Sequence, residues 1–282
     1  MFRHLLLLVC AGLILGAQPL YSQRDTTAKP VVAFTFGGMA LVNGHSVETL
    51  PRGFLDFAVV HRFSPVDGVQ TFFGLDGTSN FRLGLAYGLS DALTLGVGRS
   101  RLEKRYDAFA KCRLLRQRTG GMPLSVSLLA GINAGTEPVK PGWETFFVFE
   151  HRLQYHAQVL LARKMGRLSL QLAPTLVHRN LTDYAAESNT VLALGVGVRY
   201  VLNPRMALAA EYYYRLNPGL HPYETYRDPL ALSLDIETPM HRFQLLFTHA
   251  FALNEPGFIA QSSGGWVDGL RFGFNISRLF RP

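Results

Sequence analysis

The sequence predicts an all-β fold, a single transmembrane antiparallel up-and-down barrel of about twelve strands, an even count as in bacterial single-chain barrels. Three observations carry that expectation. Segment after segment alternates large apolar with small or polar residues at period two, and the connections between segments run alternately short and long. The amino terminus adds an apolar run too short to cross a bilayer as a helix.

The clearest repeat is the hairpin Phe81 to Ser100, FRLGLAYGLSDALTLGVGRS. Phe81, Leu83, Leu85, Tyr87 and Leu89 share one face of its first arm, and Arg82, Gly84, Ala86 and Gly88 share the other. After the turn Ser90-Asp91-Ala92, the return arm sets Leu93, Leu95 and Val97 against Thr94, Gly96, Gly98 and Ser100. A soluble sandwich turns such an apolar face inward, whereas a membrane barrel turns it toward lipid.

Composition bounds the rest. Of 282 residues, 48% are hydrophobic and only 17% charged, which excludes a disordered chain. The formal net charge is +8, but the cations are scattered singly through alternating segments, so no nucleic-acid partner is expected. Arg3 and His4 precede the apolar run Leu5 to Leu15, and Gln18, Pro19 and Ser22 follow it, the layout of a signal peptide over residues 1–22 with cleavage between Ala17 and Ser22. Removal of that segment leaves Cys112 alone, with no partner for an intramolecular disulfide.

Residues 23–52 form a lead-in, periplasmic or luminal, in which Val31 to Phe36 could pair as a strand and Asn43-Gly44 and Pro51-Arg52-Gly53 are turn signals. The barrel then occupies residues 53–282. Its first strand runs Leu55 to Phe63, with Leu55, Phe57, Val59 and Phe63 outward and Asp56, Ala58 and Arg62 inward. The hairpin above supplies the second and third. The fourth, Tyr106 to Gln117, presents Ala108, Ala110, Cys112 and Leu114 outward against Lys111 and Arg113, and the fifth, Leu124 to Ile132, has Ser125, Ser127 and Asn133 inward. On the sixth, Leu153, Tyr155, Ala157, Val159 and Leu161 face out while Arg152, Gln154, His156 and Gln158 face in. Leu168 to His178, Thr190 to Val201, Met206 to Arg215, Leu230 to Glu237, Arg242 to His249 and Gly269 to Leu279 complete the set. Leu192 to Arg215 repeats the layout of the first hairpin, which argues for a barrel over a two-domain enzyme.

The connections place the two ends. Ser64 to Asn80, Asn133 to Phe149, Arg179 to Asn189, Leu216 to Pro229 and Ala250 to Asp268 are long and Arg101 to Arg105 is modest, and the short turns Ser90 to Ala92, Arg118 to Pro123, Lys164 to Arg167, Asn203 to Arg205 and Thr238 to His241 alternate with them. Short periplasmic turns against long outer loops is the outer-membrane pattern.

The stretch Glu48 to Gln117, with VETLPRGFLDFAVVHRF, FFGLDG, the hairpin and YDAFAKCRLLRQ, together with the terminal RFGFNISRLF, resembles an uncharacterised domain-of-unknown-function family of predicted outer-membrane β-barrels of Gram-negative bacteria. The resemblance covers nearly the whole chain after the signal segment. It implies fold and location and brings no catalytic residue.

The candidate site is the inner wall. Gly84, Ala86, Gly88, Gly96, Gly98, Gly195 and Gly197 leave room there, either for strand curvature or for part of Gln23 to Arg52 packed inside as a plug. The inward charged or polar set is Asp56, Arg62, Arg82, Lys111, Arg113, Arg152, Gln154, His156, Arg199, Glu211, Arg215, Asp235, Glu237, Arg242 and Arg271. Cations exceed anions in it, which reads either as an anion-preferring pore or as a mutually paired lining. His61, His151, His178 and His249 fall by parity on the lipid side near strand ends, where with Tyr155, Tyr200 and Tyr212 they form an interfacial belt. His151 and His178, without a nearby Cys or carboxylate, make a weak metal pair, and no cofactor or metal is expected.

No G-x-S-x-G, H-E-x-x-H, P-loop or dinucleotide fingerprint occurs. The remaining catalytic option pairs luminal His156 with Ser125 or Ser127. The expected function is a narrow pore or facilitator for small solutes rather than an enzyme. The alternatives are a structural or assembly partner of another envelope protein and a lipid-modifying enzyme embedded in the barrel. Expected surroundings are outer-membrane lipid and lipopolysaccharide.

Overall fold

The computed structural model describes residues 30–139, 141–142, 144–145, 147–182, 187–217 and 226–281. The predicted signal segment, residues 1–22, and the start of the lead-in, residues 23–29, lie outside the described residues.

Twelve antiparallel strands close into one barrel: β1 (Leu55–Pro65), β2 (Asn80–Gly88), β3 (Leu93–Ser100), β4 (Tyr106–Leu115), β5 (Ser125–Ala134), β6 (Leu153–Met165), β7 (Leu168–Arg179), β8 (Thr190–Asn203), β9 (Met206–Arg215), β10 (Leu230–Glu237), β11 (His241–Thr248) and β12 (Arg271–Phe280). Each pairs with its sequence neighbour, and β1 closes the ring by pairing with both β2 and β12, Leu55 lying opposite Tyr87 on one side and Phe280 on the other. No strand edge is left to find partners in lipid, where water cannot supply them.

Burial follows the pleat in the sense opposite to a soluble protein. Outward Leu83, Leu85, Val97, Leu172, Val196, Leu208, Leu232 and Phe247 are exposed, while the residues between them are buried or half-buried. An apolar outer face on a closed sheet is the surface that lipid covers.

Several strand ends differ from expectation. β4 stops at Leu115, two residues early, because the Gln117 side chain takes over the pairing: its amide donates to Lys164 O (2.9 Å) and accepts from Lys164 N (2.8 Å). β6 runs on to Met165, β11 ends at Thr248, and β12 begins at Arg271 because Gly269 is held in the preceding loop by its bond to Gly265 O.

The interior is filled from both ends. From the short-turn end, Thr119 N donates to Pro30 O and Val32 N to Gln117 O, guiding the lead-in across the mouth. Residues 35–50 then rise into the lumen as a tight hairpin and return to the same mouth, where Leu50 N meets Thr94 Oγ1 (2.9 Å) and Gly53 N meets Gly88 O. From the long-loop end, the β11–β12 connection folds inward and carries a short helix, α1 (Glu255–Gln261), capped by Asn254, whose side chain accepts from Gly257 N (3.0 Å).

Each insertion builds its own apolar core. Phe36, Leu41, Val42 and Val47 of the hairpin pack on Leu129, Leu160, Ala162, Ala173, Ala209 and Leu246 of the wall. Phe258 and Ile259 of α1 pack on Val177, Val191, Ala193 and Tyr213. The wall therefore turns large apolar residues inward among the polar ones, and the middle of the lumen is a packed core.

The outward face is testable at Val196, which sits mid-strand on β8 and is exposed. Val196→Arg is expected to lower the folding free energy in bilayers by about 2–4 kcal/mol, as for an arginine facing lipid near the midplane. Urea titration in lipid vesicles measures it; unchanged stability would mean that this face does not meet hydrocarbon.

Candidate functional site: the occupied lumen

The hairpin is written by its own turn. Leu41 N donates to Gly44 O (2.8 Å) and Ser46 N to Met39 O (2.8 Å), closing the loop Leu41-Val42-Asn43-Gly44. Glu48 accepts from Thr35 N (2.8 Å) and ties the two legs together. A tip this tight points its backbone groups outward, and the wall receives them.

Glu211 of β9 accepts from the backbone N–H groups of Val42 (3.4 Å), Asn43 (3.1 Å) and Gly44 (3.1 Å). The carbonyls go the other way. Lys111 Nζ donates to Met39 O (3.1 Å) and Ser46 O (3.0 Å), Arg242 to Ala40 O (2.5 Å), Gln244 to Leu41 O (2.7 Å) and Asn275 to Val42 O (2.9 Å). Gln171 donates to His45 O (2.8 Å), Ser127 to Val47 O (2.6 Å) and Ser169 to Thr35 O (2.5 Å). Six strands thus recognise one hairpin through its main chain, each bond worth about 1 kcal/mol net.

Two glycines show how closely the parts approach. A Cβ at Gly197 would lie 2.0 Å from Leu41 Cδ2, and one at Gly44 2.2 Å from Tyr213 Oη. The luminal space at Gly197 is therefore taken by the hairpin itself.

Toward the short-turn end, charges pair among themselves: Asp235 meets Arg242 (2.6 Å) and Arg199 (3.4 Å), and Glu237 meets Arg199 (2.5 Å). Toward the long-loop end, Arg82 pairs with Asp107 (2.5 Å), and α1 brings Glu255 to His45 of the hairpin (3.5 Å) and His156 of β6 (3.6 Å). Between hairpin and wall lies a cavity of about 110 Å³ bordered by Arg62, Arg82, Asp107, His45, His156 and Glu255. Burial pushes the His45 imidazole well below its usual range, and the charges of Lys111, His156 and Arg82 act in the same direction. At neutral pH the contact with Glu255 is therefore made by an uncharged ring, not by an ion pair.

Of the sequence-derived luminal set, the structure places Arg62, Arg82, Lys111, Gln154, His156, Arg199, Glu211, Asp235 and Arg242 inside, and Asp56 on the cavity wall. Arg215 is buried at the outer mouth on Asp228 (2.9 Å), Arg271 lies under Phe251, and Arg113 donates to the Asp91 carbonyl at the short-turn rim. Arg152 is a correction: it leaves the lumen, because residues 149–152 form a 3-10 turn that directs its guanidinium to Gly135 O and Glu137 O of the outer loop.

Among the interfacial candidates, His61 faces outward between Phe63 and Phe274, His178 neighbours Tyr155, and Tyr200 is exposed. Tyr212 is bonded to Asp228 (3.3 Å). His151 sits in the 3-10 turn against Phe147 instead of on a strand beside His178. His249 is a second correction. Past the end of β11 it turns inward, is 2% exposed and lies against Trp266, bonded to its carbonyl (3.1 Å). No group of three or more potential metal ligands suited to hold an ion occurs among the described residues. The suggested Ser–His pair is not assembled: His156 faces Asn133 and Glu255, while Ser127 is committed to Val47 O and Ser125 to Gln117 N.

Sequence reasoning missed α1 and Tyr213. The signal for α1 was present in Asn254-Glu255-Pro256, a capping residue followed by an acid and a proline in the first turn.

Over residues 36–280 the sequence matches the family described as membrane bound beta barrel domain (DUF5777). No curated protein matches it. Among solved structures it is similar to the NanC porin, at 11% identity over 81% of this chain and 99% of that one, with a TM-score of 0.51. It is also similar to an outer membrane channel from Pseudomonas putida F1 (13% identity, 83% and 98% covered, TM-score 0.46). Outer membrane phospholipase A from Escherichia coli is a third (14% identity, 79% and 89% covered, TM-score 0.43). At 11% identity the likeness to the NanC porin is one of fold.

Two measurements test the docked hairpin. Glu211→Ala leaves three buried N–H groups without an acceptor and is expected to cost on the order of 3 kcal/mol in urea titrations. For His45, docking lowers the pKa, so the docked form binds fewer protons than the released one. Its contribution is complete above about pH 6.5 and is lost as pH falls below it, at about 1.4 kcal/mol per pH unit while only the released imidazole is protonated. The urea midpoint should therefore drop between pH 7 and 5.5 more steeply in the wild type than in His45→Gln; identical slopes would contradict the assignment.

Proposed function

The chain belongs to the membrane bound beta barrel domain family, and from that premise we propose that it is an outer-membrane channel for small solutes, held closed at rest by the hairpin of residues 35–50. One observation carries the proposal. The wall holds the hairpin by polar side chains on its main chain, donors on its carbonyls and the Glu211 carboxylate on its N–H groups, and the hairpin enters and leaves through the same mouth. Withdrawal toward the periplasm requires no threading of the chain. It would bare the donors Lys111, Arg242, Gln244, Asn275 and Gln171 together with the Glu211 carboxylate, a polar lining suited to small, oxygen-rich solutes.

The outer half is closed separately by α1, so passage also requires the β11–β12 connection to lift. Glu255, in contact with His45, is where the two closures meet.

A second reading, a structural partner for another envelope protein, draws on the outer loops. Val69, Phe72 and Phe73 of the first and Trp266 and Val267 of the last are exposed, and the two loops are joined by Val66 N to Leu270 O. An apolar cluster of this kind at a barrel mouth fits a protein contact. An enzymatic reading has less support, since His156 and the luminal serines are separately engaged.

Liposome swelling with small sugars and sugar acids tests the channel. The whole chain should be impermeable, and a chain lacking both residues 35–50 and 255–261 should pass solutes. If that shortened chain folds, as shown by heat-modifiable gel mobility, and remains impermeable, the channel reading fails.

A further inference from the structure

The two rims of the barrel differ in charge. At the long-loop end, Asp67, Asp76, Glu137, Glu144, Glu150 and Asp268 are exposed carboxylates, against the exposed cations Arg101 and Lys104. At the short-turn end, Arg116, Arg163, Arg167, Arg205, Arg278 and Arg281 are exposed, and Asp91 is the exposed carboxylate among the described residues there. We propose that this arginine rim is a binding collar for the phosphate groups of anionic phospholipids in the leaflet at the short-turn end.

Position decides between lipid and an acidic protein. Arg163 and Arg278 are not in turns: they stand on the outer face of β6 and β12, cross-strand from Leu170 and from Phe57 and His241. Leu170 and Phe57 are themselves exposed on that face. A protein docked beneath the rim cannot reach these two guanidiniums without entering the bilayer, whereas headgroup phosphates lie at their level. Arg167 and Arg205 extend the collar through the next two turns, beside exposed Met165 and Leu202, which mark the apolar boundary. Six guanidiniums with no exposed lysine among them favour a ligand that is bound bidentately, as phosphate is. The collar is independent of whether the lumen conducts.

The test uses the whole chain in nanodiscs of mixed phosphatidylcholine and phosphatidylglycerol, with the lipids retained on the released protein counted by native mass spectrometry. The wild type should retain phosphatidylglycerol in excess of its share in the disc. R163Q/R167Q/R205Q/R278Q should lower that excess by at least about fivefold, given the strength of attraction per arginine near an anionic surface. Should the quadruple variant fail to fold, R167Q/R205Q, confined to turns, should show a smaller loss. R101Q/K104Q at the opposite rim should leave the excess unchanged. No excess in the wild type, an equal loss in the opposite-rim variant, or displacement of the retained lipid by soluble polyglutamate would each overturn the proposal, the last in favour of an acidic protein.

Discussion

The interior of a twelve-stranded closed sheet is wider than its own side chains fill, and every donor carried there needs an oxygen from water or from another stretch of chain. In this protein the oxygens come from the main chain of residues 35–50. Lys111, Arg242, Gln244, Asn275, Gln171, Ser127 and Ser169 find carbonyls, and Glu211 finds the N–H groups that the tip of the hairpin leaves over. Backbone recognition of this sort couples the wall to the shape of the hairpin, and the side chains of Phe36, Leu41, Val42 and Val47 add an apolar core. A segment held through its carbonyls and N–H groups can be exchanged for water or for a hydroxyl-rich solute, which both donates and accepts, and that property links the fold to the proposed channel.

The same interior contains two apolar cores, and they divide the labour. The hairpin core anchors the short-turn half through Phe36, Leu41 and Val47, and the helix core anchors the long-loop half through Phe258 and Ile259. Where the hairpin meets α1, His45 reaches Glu255 at 3.5 Å beside a cavity of about 110 Å³. The hairpin also touches the helix core directly, since its Gly44 lies against Tyr213.

Much of this was readable in the residues. The pleat of β2 and β3 is plain because Leu83, Leu85, Leu95 and Val97 alternate with glycine, alanine and threonine, and the alternation of short and long connections follows from turn chemistry. The inward apolar residues were not readable, because Leu128-Leu129, Leu160-Leu161 and Leu245-Leu246 are doublets that satisfy the lipid face and hide the luminal one. Asn43-Gly44 announced a turn but not its place, which depends on carbonyl contacts up to 233 positions away along the chain, the separation from Val42 to Asn275. Arg152 and His249 misled because strand parity was extended past the last ladder bond, where a 3-10 turn and an inward-folding loop take over.

The central claim is that the hairpin of residues 35–50 is part of the folded interior at rest. Hydrogen exchange of the whole protein in lipid, read by mass spectrometry on peptides from this segment, tests it most directly. The account predicts that the amides of Val42, Asn43 and Gly44 exchange as slowly as those of the central barrel strands. Complete exchange of residues 35–50 within seconds, with the strands still protected, would contradict it.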